Sequence, residues 1–194
     1  MTTCIGIKGT DPDTFEEYVI LLADTQGNDT NFTYDGARKL FANKGANYAI
    51  ATEGKVISNY FCLDNKDVDN MLNTGASHSR DTLESLLGTA NEKLKQDFDE
   101  VNSYLVAHRD KENIELYAFM GEELQALGAY AAIGSGRFET DALNALQEHK
   151  KDARIHLSKR DVLETAKLAM HEAAQYDDHT GRGVNVAILT ESNL

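Results

Sequence analysis

The chain opens MTTCIGIKG (residues 1–9), and a second apolar run, YVILLAD (18–24), follows after GTDPDTFEE (9–17). Both runs are short and carry β-branched residues, as strands do. The segment between them holds the chain's single proline, Pro12, so the pair reads as a hairpin with an enlarged tip. The opening also bears on chemistry. Removing Met1 would leave Thr2 with a free amine beside its own hydroxyl. An α-amine has an unperturbed pKa of about 7.7–8.0, so near neutrality a good fraction is free base. A threonine hydroxyl alone is a poor nucleophile, but such an amine can take its proton, directly or through water. One residue then supplies both nucleophile and base.

Outward from this hairpin, KLFA (39–42) and NYAIAT (47–52) form another strand pair around NKGAN (43–47). Leu83, Leu86, Leu87, Ala90, Leu94, Phe98, Val101 and Leu105 recur at three- and four-residue spacing, which predicts one long amphipathic helix over 81–105. The stretch 54–72 before it is a weaker helical candidate. NIELYAFM (113–120) reads as a strand, GEE (121–123) as a turn, and LQALGAYAAIG (124–134) as further strand. FETDALNALQEH (138–149) reads as a helix. Another begins near Ser158 with Asp161 in the capping-box position, and its apolar face is Val162, Leu163, Ala166, Ala169, Met170 and Ala173. VNVAILTE (184–191) closes the chain as a strand. Strands, helices, strands, helices, strand: this segregation predicts α+β layers rather than a wound βαβ sheet.

Composition narrows the classes. At 194 residues the chain is read as a single domain, 1–194, with a sizeable core. Its net charge of −13 works against phosphate-backbone binding, so nucleic acid is not an expected partner. No apolar run is long enough to span a bilayer, and the opening residues lack the pattern of a signal peptide. A soluble cytoplasmic protein is the expectation. Cys4 and Cys62 form no metal or redox pattern, and His78, His108, His149, His156, His171 and His179 include no HExxH, so neither metal nor cofactor is expected.

TTCIGIK (2–8), ADTQGN (23–28), ARKLF (37–41), AIGSGRFETDALNAL (132–146) and LSKRDVLETAKLAMHEAAQYDDHTGRGVNVAIL (157–189) stand in an order that resembles proteasome β-type subunits and their bacterial relative HslV. Those are N-terminal-nucleophile (Ntn) threonine hydrolases. The resemblance covers about two-thirds of the chain; the middle, roughly 55 to 110, matches only in helical character. It implies a four-layer αββα sandwich with two antiparallel sheets between helical layers. It places Thr2 at the nucleophile, Asp24 at the carboxylate near it and Lys39 at the catalytic lysine. A lysine ammonium beside the hydroxyl favours its deprotonated form and lowers the pKa of the nearby amine. Ser135, Asp177 and Thr180 fall where the family holds the terminal amine by hydrogen bonds, with Asp178 an alternative one residue on. The implied activity is threonine-type peptide cleavage on a polypeptide substrate inside a homo-oligomeric ring, with room for an ATP-dependent unfoldase as partner. Only Met1 precedes Thr2 in this sequence, so trimming one residue would suffice, more as in HslV.

The sequence departs from the family in two places. GTDPDTFEEY is longer than usual between the first two strands, which a hairpin tip absorbs cheaply. More consequential is IATEGK (50–55), where the family carries a glycine-rich turn whose backbone N–H stabilises the oxyanion. Glu53 occupies the glycine, with Gly54 next. A backbone N–H survives there, but a carboxylate beside a developing oxyanion is unhelpful unless it points away. This leaves three alternatives open: a changed register, an atypical substrate, or an inactive subunit. Beside peptide cleavage stand a non-proteolytic Ntn amidase, acylase or transpeptidase, and a structural ring subunit without activity. Gly27, Ala37, Ala51 and Lys55 are the residues that the resemblance places near the specificity pocket.

Overall fold

The computed structural model describes residues 2–28, 33–35, 37, 39–42, 45–54, 77–111, 113–138 and 158–191. The helices expected over 54–72 and 138–149 fall almost entirely outside these residues, as do Lys55, Cys62, His149 and His156.

Strands β1 (Thr3–Thr10) and β2 (Glu17–Asp24) form the expected antiparallel hairpin, with Thr10 opposite Glu17. Its tip is built by Asp11, whose carboxylate accepts the N–H groups of Asp13 and Thr14 and whose carbonyl accepts that of Phe15. β3 (Gln26–Asn28) and β4 (Thr33–Asp35) make a small separate ribbon. β5 (Leu40–Ala42) pairs with β6 (Tyr48–Glu53), as the sequence predicts. Then come helix α1 (Arg80–Phe98), strands β7 (Ser103–Asp110), β8 (Asn113–Phe119), β9 (Leu124–Ala126) and β10 (Tyr130–Gly134), helix α2 (Lys159–Tyr176) and β11 (Val184–Thr190). One sheet has the order β10-β1-β2-β11 and the other β5-β6-β7-β8-β9, all pairs antiparallel.

Side-chain alternation along the strands stacks these elements into four layers. On β2, Val19, Leu21 and Ala23 face the gap between the sheets, where they meet Ala49, Ala51, Leu105, Ala107, Leu116 and Ala118. The alternate residues Tyr18, Ile20 and Leu22 pack with Ile5 and Ile7 under Val162, Ala166, Ala169 and Met170 of α2. Across the other sheet, Tyr48, Ile50, Tyr104, Val106 and Phe119 pack against Leu83, Leu86, Leu87 and Leu94 of α1. Small residues are frequent between the sheets and bulky ones prevail under the helices. The two sheets thus lie face to face between the two helices, in the expected four-layer αββα arrangement.

Both helices begin at a serine cap, and the one at Ser158 is the cap expected from the sequence. Ser79 caps α1 by accepting the Thr82 N–H, and Ser158 caps α2 by accepting that of Asp161 while donating to its carboxylate. The end of α1 differs from the expectation of a helix reaching Leu105. The helix stops at Phe98, because Asp99 adopts a left-handed φ of 55° and returns its N–H to the Lys95 carbonyl. Leu105 instead lies in β7, in the core between the sheets, and Val101 is exposed. Their helical spacing is coincidental. The strand β7 is required because it pairs with both β6 and β8. The expected run 124–134 likewise splits, with β9 in one sheet and β10 in the other.

Candidate active site

The N-terminal end of β1 is buried where the two sheets and the segment after α2 converge. Thr2 is almost fully buried, and its carbonyl accepts the Ser135 N–H at 3.0 Å. That bond depends on two glycines in the Gly-Ser-Gly at 134–136. Gly134 has φ of 97°, and a Cβ there would strike the Thr2 carbonyl; a Cβ at Gly136 would strike the hydroxyls of Thr3 and Thr180. Only residues without side chains allow this close approach.

Asp24 ends β2 and is fully buried. Its Oδ1 accepts the Thr3 N–H at 2.9 Å, and its Oδ2 accepts the N–H groups of Gln26 and Gly181 at 3.0 Å each. The Lys39 ammonium donates to both oxygens, at 3.0 Å each. Four donors thus satisfy one carboxylate, and a buried charge needs partners of this number and sign. Lys39 precedes β5 and is itself buried; its carbonyl accepts the Thr52 N–H at 2.9 Å, which ties it to β6. Lys39 therefore stands two hydrogen bonds from the peptide that follows Thr2.

A second cluster lies on the α2 side. Asp177, the C-cap of α2, accepts Ser135 Oγ at 2.5 Å and Thr180 Oγ1 at 2.6 Å on Oδ2, and the His179 N–H at 3.1 Å on Oδ1. Thr180 Oγ1 also meets Thr3 Oγ1 at 2.6 Å. A hydroxyl has one proton to give. Thr180 spends its proton on Asp177, so Thr3 donates to Thr180. Burial pushes the Asp177 carboxyl upward, but its bonds from Ser135, Thr180 and His179 outweigh this and hold it below the usual carboxylate range. Asp178, the sequence alternative, offers its carbonyl to the Gln26 side-chain amide at 2.9 Å.

Glu53 is the last residue of β6 and half-buried. Its Cγ lies 3.2 Å from the position of a Cβ on Gly134, beside the Thr2 carbonyl. Gly54 has φ of 115°, and a side chain there would hit the Asn102 amide. Asn102 is in turn held by Asn91 of α1 through both its N–H and its carbonyl. Of the expected pocket residues, Ala51 is fully buried between the sheets and Ala37 is nearly so; Gly27 lies in β3 opposite Tyr34.

The structure thus brings Thr2, Asp24, Lys39, Glu53, Ser135, Asp177 and Thr180 into one neighbourhood. Sequence reasoning missed Thr3, whose N–H and hydroxyl join the two carboxylate clusters, and the close-approach roles of Gly134 and Gly136. The doubled threonine and the glycines flanking Ser135 were the available signals. Among the described residues, no group of three His, Cys, Asp or Glu side chains could hold a metal ion. No described helix is long and apolar enough to cross a membrane.

No protein-family model matches this chain, and no curated protein matches it in sequence. Solved structures match it in fold. Anbu (ancestral beta-subunit) from Yersinia bercovieri aligns with a TM-score of 0.70 at 16% identity, covering 100% of this chain and 84% of that one. The Anbu (Gly-1) mutant from Hyphomicrobium sp. strain MC1 aligns with a TM-score of 0.73 at 11% identity, covering 100% and 85%. Thiobacillus denitrificans BPH in complex with epoxomicin aligns with a TM-score of 0.59 at 18% identity, covering 97% and 99%. At these identities the likeness is one of fold, shared with a proteasome-like β-subunit and not with HslV in particular.

Proposed function

We propose that this chain is a single-domain N-terminal-threonine peptidase whose nucleophile is Thr2 after Met1 is removed. The observation that carries this reading is Asp24, which holds the Lys39 ammonium and the Thr3 N–H on the same Oδ1. That arrangement fixes a cation next to the backbone of Thr2 and keeps both charged partners satisfied. The freed amine of Thr2, with its pKa lowered by Lys39, takes the hydroxyl proton as the oxygen attacks a peptide carbonyl. The tetrahedral oxyanion is met by backbone N–H near Glu53 or Gly54. Collapse expels the leaving amine, which receives the proton, and water then hydrolyses the Thr2 ester. Ser135, Asp177 and Thr180 position the amine.

The fold likeness to Anbu and to BPH in complex with epoxomicin supports this reading, and by the same resemblance the subunits assemble into a homo-oligomeric ring, with an unfoldase as a candidate partner. Intact-mass spectrometry tests it. The mature chain should lack Met1 and gain one epoxyketone per subunit, mapped to Thr2. Active protein that retains Met1, or an adduct elsewhere, overturns it. The carboxylate of Glu53 beside Thr2 favours a second reading, a ring subunit without activity. A Thr2 adduct eliminates that one.

A further inference from the structure

Among the described residues, the charged side chains of Asp24, Lys39 and Asp177 near Thr2 have their partners. Asp24 holds Lys39 and three N–H groups, and Asp177 holds two hydroxyls and an N–H. Glu53 differs, since no hydrogen bond or ion pair joins its carboxylate to a described residue. Its place is nonetheless fixed by the end of β6, where it stands opposite Ser103, and by its Cγ, which lies 3.2 Å from where a Cβ on Gly134 would stand, beside the Thr2 carbonyl. The Cys4 thiol, two residues from Thr2, feels Asp24, Lys39 and Glu53 together, so the three charges share one neighbourhood.

Charges decide what this site accepts. Among the described residues of this cluster, Asp24 and Lys39 cancel, leaving Glu53 and Asp177, against which a freed Thr2 amine supplies one positive charge. A half-buried carboxylate without a partner is poorly solvated, and beside a developing oxyanion it raises the barrier. A substrate cation removes both penalties at once, and the net charge of −13 draws such substrates in.

We propose that Glu53 is the specificity-determining residue of this site: it receives a lysine or arginine side chain next to the scissile bond and repels an acidic one. This rests on the reading of Thr2 as nucleophile. In this account the substitution of the oxyanion-turn glycine makes activity depend on substrate charge.

The test uses three capped tripeptide epoxyketones that differ only in the last side chain: lysine, norleucine or glutamate. Norleucine keeps the lysine stem without its charge. The rate of Thr2 adduct formation is read by intact mass at low salt. Wild-type protein should react fastest with lysine and slowest with glutamate, lysine exceeding norleucine by roughly tenfold. Glu53→Gln should bring the three rates within about twofold of one another, slowing lysine and speeding glutamate. Glu53→Lys should reverse the order. Equal wild-type rates, or a Glu53→Gln variant slowed alike with all three, would overturn the assignment while leaving Thr2 as the nucleophile. No adduct with any of the three, on chains that have lost Met1, would overturn the Thr2 reading and this proposal with it.

Discussion

Asp24 accepts the Lys39 ammonium on both carboxylate oxygens, at 3.0 Å each, in a site where both side chains are all but fully buried. Removing one partner leaves a charge without water or counter-charge, which costs about 3–5 kcal/mol. Asp24→Asn or Lys39→Met alone should therefore lower stability by that order in urea unfolding and abolish Thr2 labelling. The double variant should recover part of the stability and none of the labelling.

Thr180 accepts from Thr3 and donates to Asp177. Thr180→Val keeps the shape and removes both bonds, for an expected loss of about 1–3 kcal/mol. Thr180→Ser retains the hydroxyl and should restore the labelling rate. Equal rates in the valine and serine variants would remove this residue from the positioning of the amine.

Gly134 and Gly88 should respond in opposite directions to alanine. At Gly134 the positive φ and the Thr2 carbonyl both oppose a Cβ, so Gly134→Ala should cost at least about 2 kcal/mol and stop labelling. At Gly88, inside α1, a Cβ would meet nothing within 4 Å. Gly88→Ala should stabilise by about 0.5–1 kcal/mol through helix propensity. Thermal unfolding of the two variants reads both signs.

The hydrogen bonds from Ser135, Thr180 and His179 hold the Asp177 carboxyl below its unfolded value, so folding favours its ionised form. Its contribution to stability is fully present above the unfolded pKa and is lost as pH falls through the depressed folded value. Asp177→Asn should therefore flatten the fall in stability below about pH 4. Urea midpoints collected across that range for both proteins provide the measurement.

Burial, with Asp24 and Glu53 adding to it against Lys39, raises the Cys4 thiol well above its ordinary value. The thiol also donates to the Thr52 carbonyl at 3.4 Å. In native protein at neutral pH, peptide mapping after iodoacetamide should find Cys4 unmodified, and it should react only once the chain unfolds.

Much of the fold was legible because its signals are local. The hairpin of β1 and β2 announces itself by two apolar runs around a Pro-containing turn, both helices by an apolar stripe, and α2 also by its serine cap. The error at 99–105 has the same origin. Val101 and Leu105 continue the helical spacing, and local spacing says nothing about an empty position between β6 and β8 that a strand must fill.

For the site, the sequence by itself determined which groups exist: a hydroxyl at Thr2, a carboxylate at Asp24, an ammonium at Lys39, and the cluster of Ser135, Asp177 and Thr180. It also determined the α+β class, since alternation and spacing are properties of neighbouring residues. Only the tertiary structure decided that Thr3 links the two clusters, that Asp177 rather than Asp178 takes the hydroxyls, and that Glu53 stands beside the Thr2 carbonyl. Thr3 and Thr180 meet across 177 positions of sequence. Contacts at that separation come from how sheets and helices pack, because a hydrogen bond depends on distance and direction in space, which residue order does not specify.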